Sequence, residues 1–245
     1  MTFRRQLPNF LTGLNLACGT GALMCAVDGR PETIPLALAL IVGALFFDMA
    51  DGRVARKLGV TTDLGLELDS LADLVSFCVA PAMLLWRMRL ADGGALAALV
   101  PVAFVVAGAF RLARFNVLSQ QGQPATKWFV GMPTPAAASV ALTAGLGHTL
   151  PGFGAALAAP VVALVTLVAA GLMVCRIPFP SPKVLPLSSR RFVAAAIALI
   201  GIAAVTVQGK LALASLAYVG LGLSMAVARA VTTSAARLTR APRSI

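Results

Sequence analysis

The sequence predicts an all-α membrane protein: a polytopic transmembrane helix bundle of about eight spans, with a six-helix catalytic core and two C-terminal helices. Three observations lead there. Mean hydropathy is +0.89, and 59% of the 245 residues are hydrophobic. Only 12% are charged, against about a quarter in an ordinary soluble domain, so no polar shell can be assembled. Apolar stretches near the roughly 20 residues needed to span a bilayer recur along the chain.

The spans are predicted at 9–27, 33–57, 64–88, 94–115, 129–149, 153–175, 192–208 and 211–229. The sixth is the plainest, with no charge from Phe153 to Cys175. The second and third are unusual because their facing ends carry acids. The 22 glycines and the many alanines suit close helix–helix approach in lipid. Two connectors are more than turns. Leu118 to Lys127 is polar, and Arg176 to Arg191 holds Pro178, Pro180, Pro182 and Pro186, which break helices. No cleavable signal peptide is expected, since the first span has no small-residue cleavage site after it. Residues 1–185 are expected to form the core, and 186–245 a helical hairpin with a basic tail.

The net charge of +11 does not point to nucleic acid, because the basic residues lie between apolar spans. With the N-terminus in the cytoplasm and alternating spans, sixteen of the 20 Lys and Arg fall on the cytoplasmic side. Only Arg30, Arg87, Arg89 and Lys210 fall opposite. That bias is the positive-inside pattern. It predicts cytoplasmic termini, a cytoplasmic site and residence in the inner (cytoplasmic) membrane, with the basic tail against anionic lipid headgroups. Cys18, Cys25, Cys78 and Cys175 form no CxxC pair and read as small apolar residues. His148 reads as a loop residue.

Six of the nine acidic residues lie between Asp48 and Asp73. An ionisable group in a spanning segment is costly and marks function. Asp48 and Asp51 are three apart on one predicted helix, and Asp69 and Asp73 four apart on the next, so each pair projects from one face. A short connector makes the two helices antiparallel neighbours whose carboxylates converge. A divalent cation would relieve their repulsion, and all-oxygen ligands suit Mg²⁺, Mn²⁺ or Ca²⁺. Four carboxylates are enough for two ions. Gly52 would let a ligand approach the backbone, and Arg56 can fork onto phosphate. Gly65 would let the third helix approach the second. Metal and arginine around a phosphoanhydride are the equipment of phosphoryl transfer. Two other readings of the acids are a structural ion-pair cluster and the cation site of a transporter. Buried pairs seldom repay their desolvation, and there is no second copy of the acidic pair of the kind transporter repeats show.

From Asp48 to Asp73 the string reads D-x2-D-G-x2-A-R-x8-G-x3-D-x3-D. It resembles, at every position, the signature of the CDP-alcohol phosphotransferase family, and the likeness covers about residues 1–185. The resemblance implies that Asp48, Asp51, Asp69 and Asp73 bind metal, Mg²⁺ or Mn²⁺, with Asp73 also the general base. It implies donor contacts from Gly52, Arg56 and Thr62, and from Asn9 and Thr12 in an N-terminal motif that closes over the nucleotide. It further implies a homodimer.

Three more segments resemble the bacterial branch of that family that uses serine: Leu7 to Gly19, Arg111 to Asn116 with Gly131 to Ala137, and Arg176 to Lys183. The third carries extra prolines. For this branch the donor is CDP-diacylglycerol, the acceptor L-serine and the products phosphatidylserine and CMP. An arginine fork suits a serine carboxylate, so Arg111, Arg114 and Asn116 are the candidate acceptor contacts. Glycerol 3-phosphate, inositol phosphate or choline are the alternative acceptors.

Overall fold

A computed structural model describes residues 3–60, 62–120, 128–146, 149 and 156–180. The predicted seventh and eighth spans, His148 and the boundary near residue 185 lie outside the described residues. Seven α-helices occur among them: α1 (Phe3–Asp28), α2 (Ile34–Leu58), α3 (Asp63–Leu74), α4 (Ala80–Leu85), α5 (Gly94–Gln120), α6 (Thr134–Leu146) and α7 (Ala159–Val174). Two π turns, Val75–Val79 and Trp86–Leu90, make α3 and α4 one helical run. Three runs have the length and apolarity to cross a membrane: Gln6–Asp28, Pro31–Leu58 and Asp63–Ser119, the last bent at Gly94. The all-α membrane bundle is therefore what the chain forms.

Residue pairing gives the directions. Gly43 lies against Cys18, Gly21 against Leu40, and Thr12 against Asp51, so α1 and α2 run antiparallel. Gly65 lies against Asn9, Asp73 against Asn15, and Ser76 against Gly19, so α1 and α3 run parallel. Gly108 meets Cys78 and Asn116 meets Ser70, which sets α5 antiparallel to the α3–α4 run. α1 packs along both α2 and α3, whereas α2 and α3 have almost no backbone contact with each other. The expected direct α2–α3 packing is thus corrected: α1 is the shared neighbour. Gly65 makes room for Asn9 of α1 and for Thr62, not for α2.

Local chemistry explains the breaks. Gly59, at φ +64°, ends α2 in the left-handed conformation, and Val60 N–H returns to Ala55 O at 3.1 Å. Thr62 caps α3, its Oγ1 accepting from Gly65 N–H at 3.1 Å. Pro81 has no N–H to give to Phe77 O. The chain widens just before it, and Ala80 N–H bonds to Val75 O. The predicted fifth span loses its first residues to a short antiparallel pair, β1 (Trp128–Val130) with β2 (Pro178–Pro180), and to a turn at Gly131. α7 starts only at Ala159, with Pro160 in its first turn.

Arg114 ties this region together. Its guanidinium donates to Val174 O and Val130 O at 2.8 Å each and to Met173 O at 3.1 Å. It therefore satisfies the last carbonyls of α7 and anchors β1. Gly131, at φ +84°, fits against the same carbonyls, where any Cβ would collide with Met173 O. Met132 N–H donates to Leu172 O and Gly131 N–H to Ile177 O.

Two stability predictions arise here. Arg114→Ala should lower unfolding free energy by about 1–3 kcal/mol, as expected for hydrogen bonds from a charged group, with Arg114→Lys intermediate; thermal unfolding in detergent measures this. Gly108→Ala places a Cβ 3.2 Å from Cys78 Cβ and closer still to its sulfur. Overpacking of that kind should cost about 1–3 kcal/mol, and Cys78→Ala should relieve part of it in the double variant.

Candidate active site

α2 and α3 reach the same end of the bundle at the Gly59–Thr62 connector. Asp48 and Asp51 project from the last turns of α2, and Asp69 from the second turn of α3. One carboxylate oxygen from each of these three lies within 4.8 Å of the others. The two helix backbones do not pack on each other, so the carboxylates meet across the gap between them. Asp51 and Asp73 are buried, and Asp48 and Asp69 half-buried. Asp69 Oδ1 is buried with no hydrogen-bond partner among the described residues. An orphaned carboxylate oxygen within a three-carboxylate cluster fits a divalent cation, which suits hard oxygen ligands. Asp73 lies one helical turn beyond Asp69, outside that three-residue cluster.

α1 supports the acids from the side. Thr12 is buried and its hydroxyl donates to Asp51 Oδ2 at 2.7 Å, with Pro8 O a secondary acceptor at 3.1 Å. Asn15 is fully buried and its Nδ2 donates to Asp73 Oδ1 at 3.3 Å. Sequence reasoning passed over Asn15 as a site residue. The signal was there: Asn9, Thr12 and Asn15 recur every third position on an otherwise apolar helix, one polar stripe facing α2 and α3.

The expected donor contacts gather at the connector end. A Cβ on Gly65 would stand 3.1 Å from Thr62 Oγ1 and 3.2 Å from Asn9 Oδ1, so these polar atoms converge where the side chain is missing. Gly52 has the same relation to its own helix, with Arg56 Nη1 3.3 Å from the Cβ position. The absent side chain at Gly52 leaves space that the exposed Arg56 guanidinium folds over.

The three expected acceptor contacts separate. Arg111 lies within electrostatic reach of Asp48, Asp69 and Asp73, and its Nη1 donates to Thr134 Oγ1 at 3.2 Å. Arg114 is instead engaged by the carbonyls of α7 and β1. Asn116 is buried, donates to Glu67 Oε2 at 3.1 Å and accepts from Ser70 Oγ at 2.9 Å. Its amide joins α5 to α3, on the face of α3 that carries Glu67 and Ser70, about 100–160° from Asp69 as counted by the helical period. Only Arg111 of the three is brought to the acids. Among the described residues, the opposite end of the bundle carries Arg30, Arg87 and Arg89. The Arg87 guanidinium covers Gly29, and Arg89 Nη2 donates to Leu157 O.

The sequence is similar to that of known proteins. Over 138 residues the chain is 44% identical to the CDP-diacylglycerol–serine O-phosphatidyltransferase of Mycobacterium leprae, covering 54% of this chain and 44% of that one. The protein of the same name from Helicobacter pylori J99 is 37% identical over 131 residues, covering 54% and 53%. That from Methanocaldococcus jannaschii is 38% identical over 132 residues, covering 54% and 56%. The chain spans about half the length of the curated relatives it matches. The sequence profile of the CDP-alcohol phosphatidyltransferases matches residues 5–176, which include every acid, amide and hydroxyl of the site. The chain belongs to the CDP-alcohol phosphatidyltransferase family.

Proposed function

We propose that this protein transfers the phosphatidyl group of CDP-diacylglycerol to the hydroxyl of L-serine, forming phosphatidylserine and CMP. The observation that carries the reading is the three-carboxylate cluster of Asp48, Asp51 and Asp69, with Asp73 one turn beyond it and Arg111 within electrostatic reach. Similarity to proteins named for this serine reaction supports the choice of acceptor.

Asp48, Asp51 and Asp69, with Asp73 at the edge, would hold Mg²⁺ or Mn²⁺, as two ions. When bound, the metal supplies charge neutralisation at the donor pyrophosphate and at the departing CMP. Thr12 holds Asp51 in place, and Asn9, Thr62, Gly52 and Arg56 receive the nucleotide diphosphate at the connector end. Asp73 takes the proton of the serine hydroxyl. The oxygen attacks the phosphorus that carries diacylglycerol, the phosphoanhydride bond breaks, and CMP leaves. Arg111 pairs with the serine carboxylate. The donor's acyl chains stay in the bilayer and its head enters laterally. The positive-inside bias of the sequence supports a cytoplasmic site in the inner membrane, and the family resemblance supports a homodimer.

Purified protein with CDP-diacylglycerol and Mg²⁺ or Mn²⁺ should release CMP when serine is added. Glycerol 3-phosphate, inositol phosphate and choline should stay at the no-acceptor rate. Serine at that same baseline would refute the acceptor. Asp73→Asn should lower kcat by about 10²–10⁴, the usual contribution of a general base. Asp69→Asn should raise the metal concentration required for half-maximal rate. Full turnover in both variants would remove these aspartates from the mechanism.

A further inference from the structure

Asn15 is the least explained polar group in the bundle. It is 0% exposed, on a helix inside the membrane. Its Nδ2 makes one hydrogen bond, to Asp73 Oδ1. Its Oδ1 is buried and has no partner among the described residues. The backbone around it is held firmly. Ser76 Oγ donates to Asn15 O at 3.1 Å, and Gly19, one turn on, packs so closely on Ser76 that a Cβ there would lie 2.7 Å from Ser76 Cα. An amide that leaves one of its two ends unsatisfied in an apolar interior is a poor stability device. Leucine has nearly the same shape and would remove the orphan, leaving Asp73 without the one bond that the amide gives it. The retained amide therefore calls for a role other than packing.

We infer that Asn15 is a positioning residue for Asp73: it pins Oδ1 of the carboxylate and so fixes the direction of Oδ2, the oxygen that meets the acceptor hydroxyl. Asp73 Oδ2 receives no hydrogen bond among the described residues. A carboxylate on a two-bond stem rotates about χ2 over a broad, roughly two-fold well. One fixed hydrogen bond from a rigid neighbouring helix removes that freedom. The neighbour is well chosen, because α1 runs parallel to α3 and is locked to it at Gly65 and Ser76, above and below Asp73. Thr12 does the corresponding work for Asp51 one turn earlier. The two contacts divide the labour: Thr12 serves the cluster that faces the donor, Asn15 the group that faces the acceptor. This inference rests on the assignment of Asp73 as the base in the proposed reaction.

The test compares Asn15→Leu with Thr12→Val and wild type in three measurements: thermal unfolding, CDP binding by calorimetry with Mn²⁺, and steady-state CMP release. Asn15→Leu should melt within a few degrees of wild type, since it removes the orphaned amide oxygen together with one hydrogen bond. It should bind CDP within about 3-fold of wild type and keep both KM values within the same range, while kcat falls about 10- to 100-fold, the effect of a misplaced reacting group. Thr12→Val should instead weaken CDP binding and raise KM for the donor. Unchanged kcat in Asn15→Leu overturns the inference, and so does a loss of melting temperature or CDP affinity parallel to the loss of rate. If the leucine variant does not fold, Asn15→Ala, which removes the donor without adding a charge, decides by the split between kcat and CDP affinity. A wild type that releases CMP only with another acceptor refutes the serine assignment, and the variants compared with that acceptor still judge Asn15. A wild type silent with every acceptor overturns both.

Discussion

Two hydrogen bonds from α1 organise the site: Thr12 to Asp51 and Asn15 to Asp73. Carboxylates inside a lipid-solvated bundle cannot be left to water, and each needs a fixed partner. α2 and α3 carry the acids but barely touch each other. If they packed directly, the four carboxylates would be pressed into mutual repulsion. With α1 lying along both, Asp48, Asp51 and Asp69 meet across the gap between α2 and α3, with one carboxylate oxygen of each within 4.8 Å of the others. That gap follows from the choice of which helix is the common neighbour.

That choice is made by small residues and by backbone irregularities. Gly19, Gly21 and Gly43 let α1 approach its partners closely, and Gly65 leaves room for Asn9 beside Thr62. Pro81 deletes one donor from the α3–α4 run, and the chain answers with a π turn at Val75–Val79. That turn begins two residues after Asp73 and contains Ser76 and Cys78, whose contacts are Asn15, Gly19 and Gly108. A π turn rotates everything beyond it relative to an ideal α-helix. Asp73 is thus the last α-helical acid before the helix changes phase, and the change brings Ser76 onto α1. Register and site geometry have the same cause.

The helical class, the first four segments and the acids were legible in the sequence because each has a local cause: apolar length, capping residues and helical spacing. The helix partners were not. A short connector between α2 and α3 reads as contact, yet helix–helix contact in lipid is decided by surface shape along whole helices. Gly65 shows the difficulty: its smallness was readable, but which neighbour used the space was not. The different surroundings of the acceptor candidates were hidden for the same reason. Arg111 and Arg114, three apart, share a face in the sequence. In three dimensions a 27-residue helix passes different neighbours along its length. Arg111 looks onto acids and Arg114 onto the frayed carbonyls at the end of α7. Nothing local distinguishes them.

The divergence of these two arginines carries one more consequence for the site. A guanidinium near three aspartates would collapse onto the nearest carboxylate unless something else held it. Among the described residues Arg111 makes no ion pair within salt-bridge distance; its hydrogen bond goes to Thr134. Thr134 opens α6, directly after the Gly131–Pro133 turn that Arg114 anchors through Val130 and the end of α7. The cation beside the acids is therefore held through a hydroxyl whose place is set by a second cation one turn away. Arg114 contributes without reaching the cluster: it keeps Thr134 where Arg111 needs it, and Arg111 stays near the carboxylates without neutralising any one of them. In the proposed reaction, where the acids bind metal and take a proton, that restraint keeps them available.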